Sequence, residues 1–206
     1  MADDIQQTAA EPSPRKRPKP GERRIQILQA LAAMLESPGA ERVTTAALAA
    51  RLQVSEAALY RHFASKAQMF EGLIDFIETS VFSLLNQITE SPLGPVEKAR
   101  RMMAVLLQFA ERNPGMVRVM VGDALVFEND RLHQRMNLFF DKVEASLRQV
   151  LRDASSHQSS ATPTVDAQMQ ASLWVSFVVG RLQRFARSGY KRSPLEHLEA
   201  SLALLT

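Results

Sequence analysis

The chain has no cysteine. That excludes a disulfide framework and a thiolate metal site, and it fits a reducing cytoplasm. No stretch approaches the ~18 consecutive apolar residues of a membrane span. Beta-branched alternation is nearly absent, so a sheet has little to be built from. The start, MADDIQQTAA, is polar and acidic and does not read as a signal peptide. There is no glycine-rich phosphate loop and no HExxH zinc motif. His62, His133, His157 and His197 are scattered, and the paired carboxylates Asp3 and Asp4 lie in the N-terminal arm. No nucleophile has a base nearby in sequence. Neither an enzyme, a metal centre nor a cofactor is expected.

What is present is helical periodicity and a particular distribution of charge. The 206 residues carry a formal net charge of only +3. Distribution matters more than the sum. Arg15, Lys16, Arg17, Lys19, Arg23 and Arg24 crowd the N-terminal end, and Arg181, Arg184, Arg187, Lys191 and Arg192 form a second run. Residues 1–21 hold Pro12, Pro14, Pro18 and Pro20 with little to bury, which predicts a disordered basic arm. That arm is either a DNA contact or a solvated tail.

Beyond the arm, apolar residues recur at three and four, predicting an all-α chain. Helix 1 is expected over 22–37, with Ile25, Leu28, Leu31, Ala32 and Leu35 on one face. Further helices are expected from Thr44 or Thr45 to Arg51, and from an N-cap at Ser55 to about His62. The next is expected from Ser65, with Gln68 in a capping-box position, to about Thr89. Pro92, Gly94 and Pro95 break it. Helices over 96–112, 116–120, 129–153, 165–188 and from Pro194 complete the reading.

The segment TTAALAARLQVSEAALYRHFASKAQMF places two short helices around a tight turn, Leu52-Gln53-Val54. Leu48, Ala49, Leu52, Val54, Leu59 and Phe63 can face inward, leaving Glu56, Ala57, Tyr60 and Arg61 outward with His62 at the flank. This is a helix-turn-helix, whose second helix fits the major groove. The order T-T-x-x-L-A, V-S, L-Y-x-H-F-x-S-K resembles the TetR signature. The resemblance implies a head over 22–68 and a helical dimerisation body over 69–206. It also implies roles. Thr44 and Lys66 would touch phosphates, and Glu56, Ala57 and Ala58 would approach the bases. Tyr60 and His62 would bind backbone or adjacent bases, and Ser55 and Arg61 are counted with the DNA-binding set. One position departs: the family usually has glycine where this chain has Gln53. A positive φ there costs about 1 kcal/mol, so the turn is either altered or the cost absorbed.

Most TetR-like proteins are ligand-responsive repressors, and that is the alternative reading. The runs ERRIQILQALAAMLES, VSEAALYRHFASKAQMFEGLIDFIE, FAERNPG and FDKVEASLRQVLR are similar to a branch of the family that acts in nucleoid occlusion. That likeness implies a factor at the nucleoid, bound to pseudo-palindromic duplex sites as a homodimer, that antagonises the division GTPase FtsZ. Phe76 falls off the apolar stripe Phe70, Leu73, Ile74, Ile77, Val81, Leu84, Leu85 and Ile88, so it is either an exposed anchor or packs on another helix. The likeness tilts Phe76, Arg112 and Asn113 towards a partner surface. For the dimer, Trp174 and Phe177 on the long helix and Leu198 and Leu202 on the last one are expected at the interface, with Gly180 allowing close approach.

Overall fold

A computed structural model describes residues 21–37, 42–157 and 161–205; most of the basic arm lies outside them. Nine α-helices are described. They are α1 (Glu22–Leu35), α2 (Thr45–Leu52), α3 (Glu56–Tyr60), α4 (Lys66–Glu90) and α5 (Pro95–Arg112), then α6 (Pro114–Met120), α7 (Asp130–His157), α8 (Pro163–Arg187) and α9 (Leu198–Leu205). A single 3-10 turn, Asp123–Leu125, precedes α7. No strand occurs among the described residues.

Local chemistry sets the N-termini. Thr44, Ser55 and Ser65 each hold an extended backbone and accept from the amide three residues on, at Ala47, Ala58 and Gln68. Gln68 answers by accepting from the Ala64 amide at 2.8 Å, one residue further back than a standard capping box. Proline opens α5, α6 and α8, where its missing N–H leaves no helical bond unmade.

Two packed units result. In the head, Leu48, Ala49, Leu59 and Phe63 close against Ile27, Leu31 and Leu35 of α1. In the body, α5 is sheathed by α4, α7 and α8, and Ala99, Met102, Met103, Leu106 and Leu107 are buried. The 25-residue α4 starts at the head and runs the length of the body. Tyr190, at φ 65°, donates to the Leu35 carbonyl at 3.2 Å and ties the segment after α8 to the end of α1.

Three helix faces depart from the periodicity. The buried stripe of α1 is Ile27, Leu31 and Leu35; Ile25 is exposed and Leu28 half-buried. The helix is apolar around more than half its girth, so periodicity could not choose the core side. On α4, Leu84 is exposed and Met69 buried. The third departure concerns the expected dimer residues. Trp174, Leu198 and Leu202 are buried inside the single chain, because α9 folds onto α8 and the Trp174 indole donates to the Leu205 carbonyl at 2.9 Å. Phe177 is half-buried under the Arg181 guanidinium. The face that α8 leaves open carries Val165, Met169 and Leu173 instead, with Ser172, Ser176 and Gly180 on the same side.

Candidate nucleic-acid interface

The turn between α2 and α3 is the tightest point of the head. Gln53 sits at φ 55°, ψ 46°, and the Val54 amide reaches back to the Ala49 carbonyl at 3.0 Å. This Schellman-type closure satisfies the free carbonyls at the end of α2. The left-handed turn is kept and its cost absorbed.

The turn presents α3 outward. Ser55, Glu56, Ala57, Tyr60 and Arg61 are exposed, while Ala58 and His62 are half-buried. Tyr60 keeps 46% of its surface open, so it is not a core aromatic. Phe63, by contrast, is core. Thr44 is exposed at the start of α2. All of the sequence-predicted DNA residues except Lys66 therefore line the face formed by the starts of α2 and α3 and the turn that follows.

Lys66 is placed differently. Its side chain is only 18% exposed and pairs with Glu128, which lies just before α7. The ammonium also lies 5.6 Å from the Phe70 ring centroid. Beside Glu128, Phe127 is exposed, with the Arg42 guanidinium 5.8 Å from its ring centroid. Two cations near the reading face are thus met by neighbouring residues of the body.

Sequence reasoning missed three further residues. Arg24 donates to the His62 carbonyl and stacks 4.1 Å over the Phe63 ring, fixing the end of α3 from α1. The Thr45 hydroxyl donates to the Glu56 carboxylate at 2.6 Å. Glu128 is the third. Their partners lie 38, 11 and 62 positions away, beyond any local spacing rule.

A second surface lies on the body side of α1. A groove of about 450 Å³ is lined by Ile25, Leu28, Ala32, Phe76, Asn113 and Met116, among others. Phe76 is 48% exposed and meets Phe109 of α5 with ring centroids 6.0 Å apart. The Asn113 amide donates to the Phe109 carbonyl at 2.8 Å, and Arg112 beside it is exposed. Gly115 makes the junction possible. A Cβ there would stand 2.3 Å from the Ala32 carbonyl oxygen, so only glycine lets α6 cross α1 this closely. Asn113-Pro114-Gly115 is therefore a corner between two helices, and α6 begins at Pro114, two residues before the expected Met116.

Along the other flank of α4, Arg131 pairs with Glu71, and Arg135 with Asp75 at 2.5 Å and Glu78 at 2.6 Å. The hydrogen bond to Glu78 chiefly raises the Arg135 pKa above its ordinary value, against the lowering effect of burial. With Lys66–Glu128 these pairs form a ladder between α4 and α7 with the segment just before it.

No metal-binding cluster occurs among the described residues. No helix there is long and apolar enough to cross a membrane.

Residues 27–73 match the bacterial regulatory proteins of the tetR family. Residues 96–206 match the tetracyclin repressor-like C-terminal domain of the SlmA-like type. The nucleoid occlusion factor SlmA of Vibrio vulnificus is 49% identical over 189 residues, covering 91% of this chain and 96% of that protein. SlmA of Vibrio cholerae is 50% identical over 185 residues, with coverage of 89% and 94%. The solved structure of the TetR family transcriptional regulator PfmR from Thermus thermophilus superposes with a TM-score of 0.70. It covers 87% of this chain and 96% of that one, at 22% identity, a likeness of fold.

Proposed function

The chain belongs to the TetR family and, within it, to the SlmA nucleoid occlusion factors, and from that premise we propose that it binds pseudo-palindromic duplex sites as a dimer and, so bound, keeps FtsZ from assembling over the nucleoid. It is a DNA-binding protein rather than an enzyme. Its head supplies the α2–α3 face to the major groove. Two such faces, related by a twofold axis, read the two half-sites.

The observation that carries the FtsZ half of this reading is the apolar groove in which Phe76 and Asn113 meet. An exposed aromatic in a concave apolar setting, with an exposed arginine next to Asn113 in the chain, has the composition of an interface hot spot. Both lie in the body, away from α3. FtsZ docking and DNA reading can therefore be separated by mutation.

Arg112→Glu tests it. The exposed guanidinium sits at the end of α5, where a cation favours the helix dipole by only about 0.3–1 kcal/mol. The variant should keep its melting temperature nearly unchanged and bind operator normally. It should lose co-sedimentation with FtsZ filaments, which the unaltered protein should show in the presence of operator DNA. Loss of operator binding together with a lowered melting temperature would assign Arg112 to the fold. Loss of neither would remove it from the partner surface.

The dimer is carried by the stripe that α8 leaves open. Val165, Met169 and Leu173 lie on it, with the small residues Ser172, Ser176 and Gly180 on the same side. At ~100° per residue all six fall on one side of the helix, opposite Trp174. A Cβ on Gly180 would meet nothing within 4 Å, so the single chain leaves open space at this end of the stripe. A second copy of α8 approaching across a twofold axis would cover the stripe, and its small residues would let the two helices come close.

A further inference from the structure

We propose that Thr45 and Glu56 act together as a cytosine-reading pair, with Thr45 the positioning residue and Glu56 the group that touches the base. The inference rests on the DNA-binding reading above and names what part of the sequence is read and how.

Glu56 is the first residue of α3, directly after the Ser55 N-cap, and is exposed. The N-terminal residues of a recognition helix are those that meet base edges. A carboxylate is an unusual group to hold there. The surrounding phosphates repel it, and an acidic side chain without a use on this face only weakens binding. What it can do is accept, since a carboxylate has no proton to donate. In the major groove, guanine offers two acceptors and thymine an acceptor and a methyl. Only cytosine N4 and adenine N6 donate. Adenine sets its N7 acceptor beside N6, where a second carboxylate oxygen meets a lone pair. Cytosine has no such acceptor beside N4. The chemistry therefore selects cytosine.

Geometry adds the second element. The Thr45 hydroxyl donates to Oε2 of Glu56 at 2.6 Å. That contact restricts a flexible side chain and commits one oxygen, leaving Oε1 to accept from a base. Thr45 is the first residue of α2, and Thr44 before it is the N-cap and candidate phosphate contact. The candidate phosphate anchor and the positioning hydroxyl are thus adjacent in sequence, and the hydroxyl is bonded to the base reader across two helix starts. The anchor fixes where along the duplex the reader falls.

The test is selection of duplexes from a randomised pool by the full-length protein, followed by titration of the enriched sites. The unaltered protein should enrich cytosine at one position of each half-site by tenfold or more over the other bases. Glu56→Gln should lose that preference and move towards adenine, whose N6 and N7 a glutamine can bind bidentately. Thr45→Val, which keeps the shape and removes the hydroxyl, should weaken the cytosine preference several-fold. Thr45→Ser should retain it. Binding to random duplex should not fall in any variant, because no phosphate contact is removed. Enrichment of the same bases at every position by Glu56→Gln and the unaltered protein would overturn the proposal. So would a Thr45→Val protein with a lower melting temperature and unchanged preference, which would make the contact merely structural. Failure of the unaltered protein to prefer any duplex would overturn the underlying reading instead.

Discussion

Gln53 holds a backbone conformation that glycine would hold at lower cost. At φ 55° its Cβ crowds the following carbonyl, a strain of about 1 kcal/mol for a residue with a side chain. The backbone bonds from Gln53 and Val54 to Ala50 and Ala49 offset it by closing the end of α2. Gln53→Gly should therefore stabilise the head. For a chain of this size a gain of up to ~1 kcal/mol would raise the melting temperature by about 2–4 °C. Calorimetry should show the rise, and operator affinity should not change, because the reading face is already formed. An unchanged or lowered midpoint would mean that the Gln53 side chain contributes more than its backbone costs. The departure from glycine was visible in the sequence. Its outcome was not, because it depends on whether the neighbouring amides find carbonyls, which only the closed turn decides.

At the scale of elements, α4 connects the reading head to the groove and the α7 ladder. The Lys66–Glu128 pair is the rung at the head end of α4, and the same lysine is the candidate phosphate contact. If Lys66 does meet a phosphate, its one ammonium is contested between that phosphate and a carboxylate of the body. Glu128→Gln should therefore raise affinity for all duplexes alike, since it frees the lysine and removes an acidic competitor. It should also lower the melting temperature, since a partly buried pair is broken by loss of one partner. Opposite movement of affinity and stability is the signature. Salt titration gives the complementary check. Lys66→Ala should flatten the slope of log affinity against log salt by about 0.9, and an unchanged slope would place Lys66 away from the phosphates. The helices themselves were legible from periodicity and capping residues. Ends moved by a few residues, and α7 runs to His157 rather than Asp153. Which apolar side faces the core was less legible. On α1 and α8 apolar residues encircle much of the helix, and only packing decides that Ile27 and Trp174 go in while Ile25 and Leu173 stay out.

For the whole molecule, the same ambiguity bears on the dimer surface, and the proposed placement on the open stripe of α8 can be tested. Charges at Leu198 and Leu202 would enter the seam between α9 and α8 of one chain. Such a variant should lose stability by several kcal/mol, because buried charges without partners are costly. Unfolding would then obscure any effect on association. Met169→Glu with Leu173→Glu places both charges on an exposed stripe, where a single chain leaves them in water. The isolated subunit should keep its helical content and close to its normal unfolding enthalpy. Across a twofold axis, however, four carboxylates would converge on an apolar seam, and the dimer should dissociate. Sedimentation should give a 23.0 kDa species. Operator binding should fall steeply, since each head alone holds half a site, while binding to a half-site duplex should persist. If FtsZ docks in the α1–α4 groove of a single subunit, the monomer should retain weak affinity for FtsZ, and Phe76→Ala in that background should remove it. A double variant that stays dimeric in sedimentation would place the interface elsewhere on the body. A variant that is monomeric yet binds full operator with undiminished affinity would separate site reading from dimerisation, and with it the reason for a twofold-symmetric head.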